Sequence, residues 1–290
     1  MLQTMLLTIV ALPLAFGIAT ALAARAVPAQ RAVLIALLIP LAATVALIGL
    51  EGLPAFPPVR STHKLPFILA GGAIVFALAA WRGRTAGVAL TAAFAAAVLI
   101  VPVWWLGRNV LANNSTKAAV TVVLLVLAVA GVAWQALRAG KAGPDASSNV
   151  LPQAIFATSL ATALVSVLGG YIGMAQFNGA LAALAGGYLL IVYIRYLRGD
   201  EAAFALPGAA ALAFAWTAVI GLLMTAIFAP NASSAALVAA ILTLVLTPLA
   251  VQYGLLFSHL PRAVRPLGLG LAAAVPALAA IAIAALSYTG

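Results

Sequence analysis

The chain has 290 residues, 66% of them apolar and only 6% charged, against roughly 45–50% apolar and ~25% charged in soluble domains. That composition excludes a soluble globular domain and predicts an all-α, polytopic integral membrane protein. The formal net charge of +10 does not point to nucleic acid, because the basic residues come in pairs between apolar runs instead of clustering on one face.

A membrane-crossing helix takes ~20 mostly apolar residues. Ten such spans are expected, near 4–24, 32–50, 65–81, 85–106, 118–137, 150–170, 179–197, 203–228, 234–257 and 267–288. They leave too little chain for a separate soluble domain, so the whole of 1–290 reads as one membrane domain with short loops. The first run, Met1 to Ala24, is longer than a signal-peptide core and has no Lys or Arg before it, which reads as a retained first span. Only Arg82-Gly83-Arg84 separates the third and fourth spans. Arginines are costly at mid-bilayer, so a break is expected there.

Basic residues then set an orientation. Arg25 and Arg31, Arg82 and Arg84, Arg138 and Lys141, Arg195 and Arg198, and Arg262 and Arg265 fall in odd-numbered loops, whereas the even loops hold Arg60, Lys64, Arg108 and Lys117. The positive-inside rule puts the odd loops in the cytoplasm and both termini outside, with the cytoplasmic (inner) membrane of a bacterium as the expected location. Trp104, Trp105, Tyr171 and Tyr288 fall at outer ends and Trp81, Trp134, Tyr193 and Tyr196 at inner ends, as interface anchors do. Trp216 lies at mid-span, where its indole N–H needs a polar group on a neighbouring helix.

Ten spans divide into two inverted halves of five, 1–140 and 149–290, hinged at the Gly-, Ser- and Pro-containing loop 138–149. Few residues correspond: Pro13 has a loose match in Pro152 and Pro102 in Pro248, but Pro40 has none. Asp200 and Glu201 are expected to open the eighth helix, at the positive end of its dipole.

Away from their ends the spans hold no Asp, Glu, Lys, Arg or His. This argues against a proton relay or ion pump built on a mid-membrane charge; sodium coupling through carbonyls and hydroxyls stays open. Small hydroxyls are present instead. Thr158, Thr162, Ser166 and Gly170 recur every fourth residue in the sixth span, with Ser159 beside them, so they share a face. In the ninth, Thr243 and Thr247 precede Pro248, whose missing N–H frees a carbonyl for a hydroxyl or water. Such residues let membrane helices pack closely and bond across; the sharper reading is a lining for a solute path, with uncharged Gln176 and Asn178 meeting a neutral solute at its outer end. Gly169 and Gly173 form a GxxxG, a weak packing signal in so Ala-rich a chain.

The chemically dense stretch is EGLPAFPPVRSTHKLPF, Glu51 to Phe67. Its four prolines predict a stiff extended strut. With three residues per turn, Leu53, Phe56 and Val59 form one edge, expected to rest on the bundle, while Arg60 and His63 are presented outward; Ser61 or Thr62 would cap the third helix. Glu51 is the lone outer carboxylate, with Arg60, Lys64, Arg108 and Lys117 as possible salt-bridge partners. The alternative is a gate or docking surface built from Glu51, Arg60, His63 and Lys64, in which His63 changes charge between pH ~5 and ~8.

Neither Glu51 with His63, nor His259 with Asp200 and Glu201, supplies a convincing catalytic or zinc set, and the absence of cysteine removes disulfides, thiolate metal sites and cysteine nucleophiles together. No enzyme activity, metal or cofactor is expected. Two functions are: a carrier of a neutral or amphipathic small solute or lipid, or a non-transporting structural or assembly subunit of a membrane complex. The expected partners are the lipid bilayer and either membrane proteins or further copies of the chain, not nucleic acid. A hydrated cavity lined by Thr158, Thr162 and Thr243 favours the carrier; a solid bundle with an exposed apolar face favours the subunit.

Overall fold

The computed structural model describes residues 6–83, 87–142, 150–246 and 260–289, without the side chains of 138–142 and 289. Its helices are α1 (Leu7–Ala26, opening with the π-helical turn Leu7–Ala11), α2 (Arg31–Glu51), α3 (Ser61–Arg82), α4 (Val88–Asn113), α5 (Ser115–Ala142), α6 (Leu151–Leu168), α7 (Ile172–Leu197), α8 (Gly208–Phe228), α9 (Ser234–Val245) and α10 (Arg265–Thr289). Among the described residues there is no strand, and nine helices are long and apolar enough to cross a membrane. The protein is an all-helical, multi-pass membrane bundle. Thr247, Pro248 and the rest of the ninth span, with most of the expected hinge at 138–149, lie outside the described residues.

Helix boundaries correct the sequence reading in three places. Helix α3 begins at Ser61, so the stretch through Phe67 is helical where an extended strut was expected. Pro66 sits in its second turn and forgoes one bond, to the Thr62 carbonyl, a loss an otherwise apolar helix absorbs. Helix α7 begins at Ile172, which places Gln176 and Asn178 inside it. Helix α8 begins only at Gly208. Asp200 therefore does not open it: Asp200 pairs with Arg195 in the turn after α7, and Glu201 lies 3.9 Å from Arg262.

Helix α8 is the axle of the bundle. It is apolar all round, the pattern of a helix with no solvent-facing side, and packs against α2, α3, α4, α5, α6, α7 and α9. Of its central window 78% is buried, against 22% for α4, α5 and α10, which form the rim. The loops sort to two ends. At one, the Arg31 guanidinium donates to the Ala203 and Ala205 carbonyls and the Tyr193 hydroxyl to the Ala263 carbonyl. At the other, Ser61 donates to the Leu106 carbonyl, the Asn231 amide to the Gly169 carbonyl, and Ser287 to Ser233. Among the described loops, those joined by these bonds sort to two opposite ends, as alternate crossings require.

Helices α1 and α7 touch backbone to backbone. A Cβ on Gly17 would lie 2.0 Å from the Leu184 carbonyl oxygen, and one on Gly187 would lie 2.1 Å from that of Leu14. Only glycine allows this approach, the small-residue contact by which membrane helices gain dispersion energy where no hydrophobic force draws them together. Helices α1 and α2 pack on α7, and α2 and α3 on α8, so residues 6–142 and 150–289 interleave.

Candidate functional site

The hydroxyl row of α6 faces inward. Thr158, Ser159, Thr162 and Ser166 are all 0% exposed. Thr162 donates to the Thr158 carbonyl and Ser166 to the Thr162 carbonyl, both at 2.7 Å, the i−4 back-bond that small hydroxyls make in helices. Two contacts reach across. The Ser166 and Thr225 hydroxyls are 2.8 Å apart, joining α6 to α8, and Thr158 donates to the Ala240 carbonyl of α9 at 3.4 Å.

Asn178 completes this seam from α7. Its Nδ2 donates to the Met174 carbonyl at 2.8 Å and lies 3.3 Å from Thr225 Oγ1 and 3.4 Å from the Gly221 carbonyl. Gly221 is needed there, since a Cβ would fall 2.2 Å from Asn178 Oδ1. Asn178 was expected to meet a solute at the outer surface; it is instead fully buried, because the same side of α7 carries Met174 and Phe177 into the core. Gln176 is half-buried. Thr243 is also buried. Ser166 and Asn178 are thus brought together with Thr225 and Gly221, which sequence reading missed, while Thr158, Ser159 and Thr162 are buried further along α6; the cue was Gly221 and Thr225 at i and i+4 on a helix whose other hydroxyl is Thr217.

A second set of polar contacts lies at proline positions. Pro102 has no N–H for the Val98 carbonyl, and Trp216 Nε1 of α8 donates to it at 2.8 Å. The indole lies against Gly72, where a Cβ would fall 2.3 Å from the ring, and its centroid is 5.4 Å from that of Phe76. The Leu244 carbonyl of α9, four residues before Pro248, receives Gln135 Nε2 of α5 at 3.1 Å.

The segment 52–60 departs most from expectation. Leu53, Phe56 and Val59 are 83%, 87% and 79% exposed, so the apolar edge faces away from the bundle, which the segment meets through half-buried Pro54 and Pro58. The sequence reading treated protein as the sole apolar medium available; a membrane protein has two. Gly52 makes the turn out of α2 at φ 84°, a left-handed conformation that suits glycine. The Phe56–Pro57 peptide is cis. Neither Ser61 nor Thr62 caps α3: Ser61 is its first residue and bonds to α4, and Arg60 at the N-cap makes no side-chain cap. His63, expected to be presented outward, is half-buried in the first turn.

The expected salt bridge at Glu51 is not formed among the described residues. Two of its four candidate partners hold carbonyls instead. Lys64 donates to the Trp105 carbonyl at 3.3 Å, with its ammonium 5.7 Å from the Trp105 ring centroid. Lys117 donates to the Ile227 and Ala229 carbonyls at 2.8 and 3.1 Å, a cation at the negative end of α8. Glu51 lies beside the first turn of α7, its Oε1 2.9 Å from where a Gly173 Cβ would stand, and a helix N-terminus favours that charge. Burial, and secondarily the Glu51 charge, push the Tyr171 hydroxyl above its ordinary pKa.

Two clefts open at this end, on either side of the loop 229–233. One of about 410 Å³ is lined by Gly169, Asn231, Ser233, Ser287 and Tyr288, and one of about 190 Å³ by Asn114, Thr116, Lys117, Pro230 and Ser234. Neither reaches Thr158, Thr162 or Thr243. Among the described residues no three His, Asp or Glu side chains are grouped to hold a metal ion. Comparison with protein-family models, with curated proteins and with solved structures finds no match to this chain.

Proposed function

We propose that the chain is a non-transporting subunit or assembly scaffold of a membrane protein complex, in the inner membrane of a bacterium with its odd loops in the cytoplasm. The observation that carries this reading is the burial of the α6 hydroxyl row, which is wholly enclosed and bonds across only to α8 and α9, where a carrier needs a wettable path. The proline positions support it further. Transporters use broken helices with free carbonyls to bind and move solutes; here the Val98 and Leu244 carbonyls are held by Trp216 and Gln135. The clefts beside the loop 229–233 give the outer end relief that a partner's exposed segment fits.

The cysteine-free sequence permits a direct test. Thr162→Cys and Thr243→Cys, expressed in native membranes, are expected to resist a water-soluble maleimide from both sides, while Asn114→Cys reacts. Reaction at position 162 would reveal a hydrated path and overturn this reading in favour of a carrier for a neutral or amphipathic solute or lipid. Purification at native expression in gentle detergent, followed by mass spectrometry, is expected to return stoichiometric membrane proteins; a chain that runs alone would sink the subunit role.

A further inference from the structure

We propose that the segment 52–60 is a lipid-interface anchor, with Leu53, Phe56 and Val59 seated in the outer leaflet and the guanidinium groups of Arg60 and Arg108 directed to lipid phosphates. Ser61 is bonded to the Leu106 carbonyl, so the segment joins α3 at the level of Trp104 and Trp105, an aromatic pair of the kind that marks the headgroup region. Helix α4 continues from Leu106 to Asn113, a further ~10 Å at 1.5 Å per residue. The segment therefore meets α3 below the top of the bundle.

The apolar side chains point away from the protein, and at this height what lies beyond the protein is the boundary between headgroups and acyl chains, where apolar faces of interfacial segments settle ~5–10 Å deep. They extend the lipid-facing band of α4, formed by Ile100, Val101 and Trp104 at 53%, 67% and 64% exposure. In water the same three side chains would make an exposed apolar patch of the kind soluble surfaces avoid.

Charge selects the headgroup. Arg60 and Arg108 are exposed and form no ion pair among the described residues, while Lys64 reaches back to Trp105. A guanidinium binds a phosphate through two parallel N–H donors, so anionic phospholipid is the ligand class this rim fits. The inference is independent of the subunit role, since a carrier could be anchored in the same way.

The test uses the full-length protein in vesicles of phosphatidylcholine, with and without phosphatidylglycerol. A nitroxide is placed at Leu53→Cys and, separately, at Val59→Cys, with Val101→Cys as the lipid reference and Asn114→Cys as the water reference. Relaxation by oxygen and by a water-soluble neutral nickel chelate reports depth. Positions 53 and 59 are expected to show an oxygen-to-nickel ratio near that of 101 and several-fold above that of 114. Phosphatidylglycerol is expected to lower nickel access further, and Arg60→Gln with Arg108→Gln to abolish that shift. A ratio like that of position 114 would place the segment in water and overturn the proposal. Low access to both probes, as beneath a second copy or a co-purified protein, would overturn it equally. A lipid-like ratio indifferent to phosphatidylglycerol would remove the role of the two arginines.

Discussion

The α6 seam and the segment 52–60 invert the rule learned from soluble proteins. In the seam, hydroxyl and amide groups are wholly enclosed; in the segment, a leucine, a phenylalanine and a valine are almost wholly bare. The difference teaches that a side chain here answers to its depth in the bilayer. At mid-membrane the outside is as apolar as the inside, so a polar group gains only by finding another helix. At the interface the outside changes from hydrocarbon to water within a few ångströms, and an exposed apolar side chain is at home if it sits low enough.

Substitutions can strain this contrast. The largest effect is expected in the interior, where Gly17→Ala or Gly187→Ala drives a methyl onto a carbonyl that cannot yield. Each is expected to lose stability at the upper end of about 1–3 kcal/mol in denaturant titrations in mixed micelles, while Gly71→Ala, with nothing within 4 Å, stays near the parent. Trp216→Phe is next. It keeps a ring beside Gly72 but orphans the Val98 carbonyl, a loss of about 1–3 kcal/mol by the same titration.

Within the seam, Asn178→Ala is expected to cost about 1 kcal/mol, the scale of interhelical hydrogen bonds in membranes. Thr162→Val should cost less, because Thr162 donates to a carbonyl of its own helix; equal effects would show that cross-helix bonding does not distinguish the two. At the rim, Leu53→Ser and Val59→Ser are each expected to stay within about 0.5 kcal/mol of the parent in detergent. Larger losses there would mean the edge packs on protein after all.

The smallest effect concerns pH. The folded pKa of Tyr171 lies above its unfolded value, so the folded state binds the proton more tightly and this contribution is lost as pH rises above the ordinary tyrosine range through the folded pKa. Glu51→Gln removes the lesser of the two causes. The alkaline loss of stability should therefore be slightly shallower in the variant, read from denaturant midpoints across that range.

Hydropathy made the bundle legible, because twenty apolar residues in a row have few other uses. The hydroxyl row was legible as a face, but not what that face meets: a threonine is equally tolerable against water or against a helix, and the answer depends on α8, whose uniform apolarity announces burial without saying beside what. The period of Leu53, Phe56 and Val59 was readable, and their direction was not. Pro66 reads in the sequence as the last proline of a stiff strut, although a membrane helix tolerates it near its start. Trp216 needed two distant facts joined, an indole without a local acceptor and a proline that leaves one open; the chain states both but not that they meet.

The close approach of Gly17 to Leu184 has a consequence for how the protein is made. During synthesis α1 enters the bilayer long before α7 exists, and its glycine notch faces lipid until more than half of the chain has been translated. Helix α1 is thus among the later ones to be fully docked. Any factor that shelters α1 in the interval would act before the bundle closes, and a chain cut short of residue 184 would leave the notch without the backbone it was shaped for.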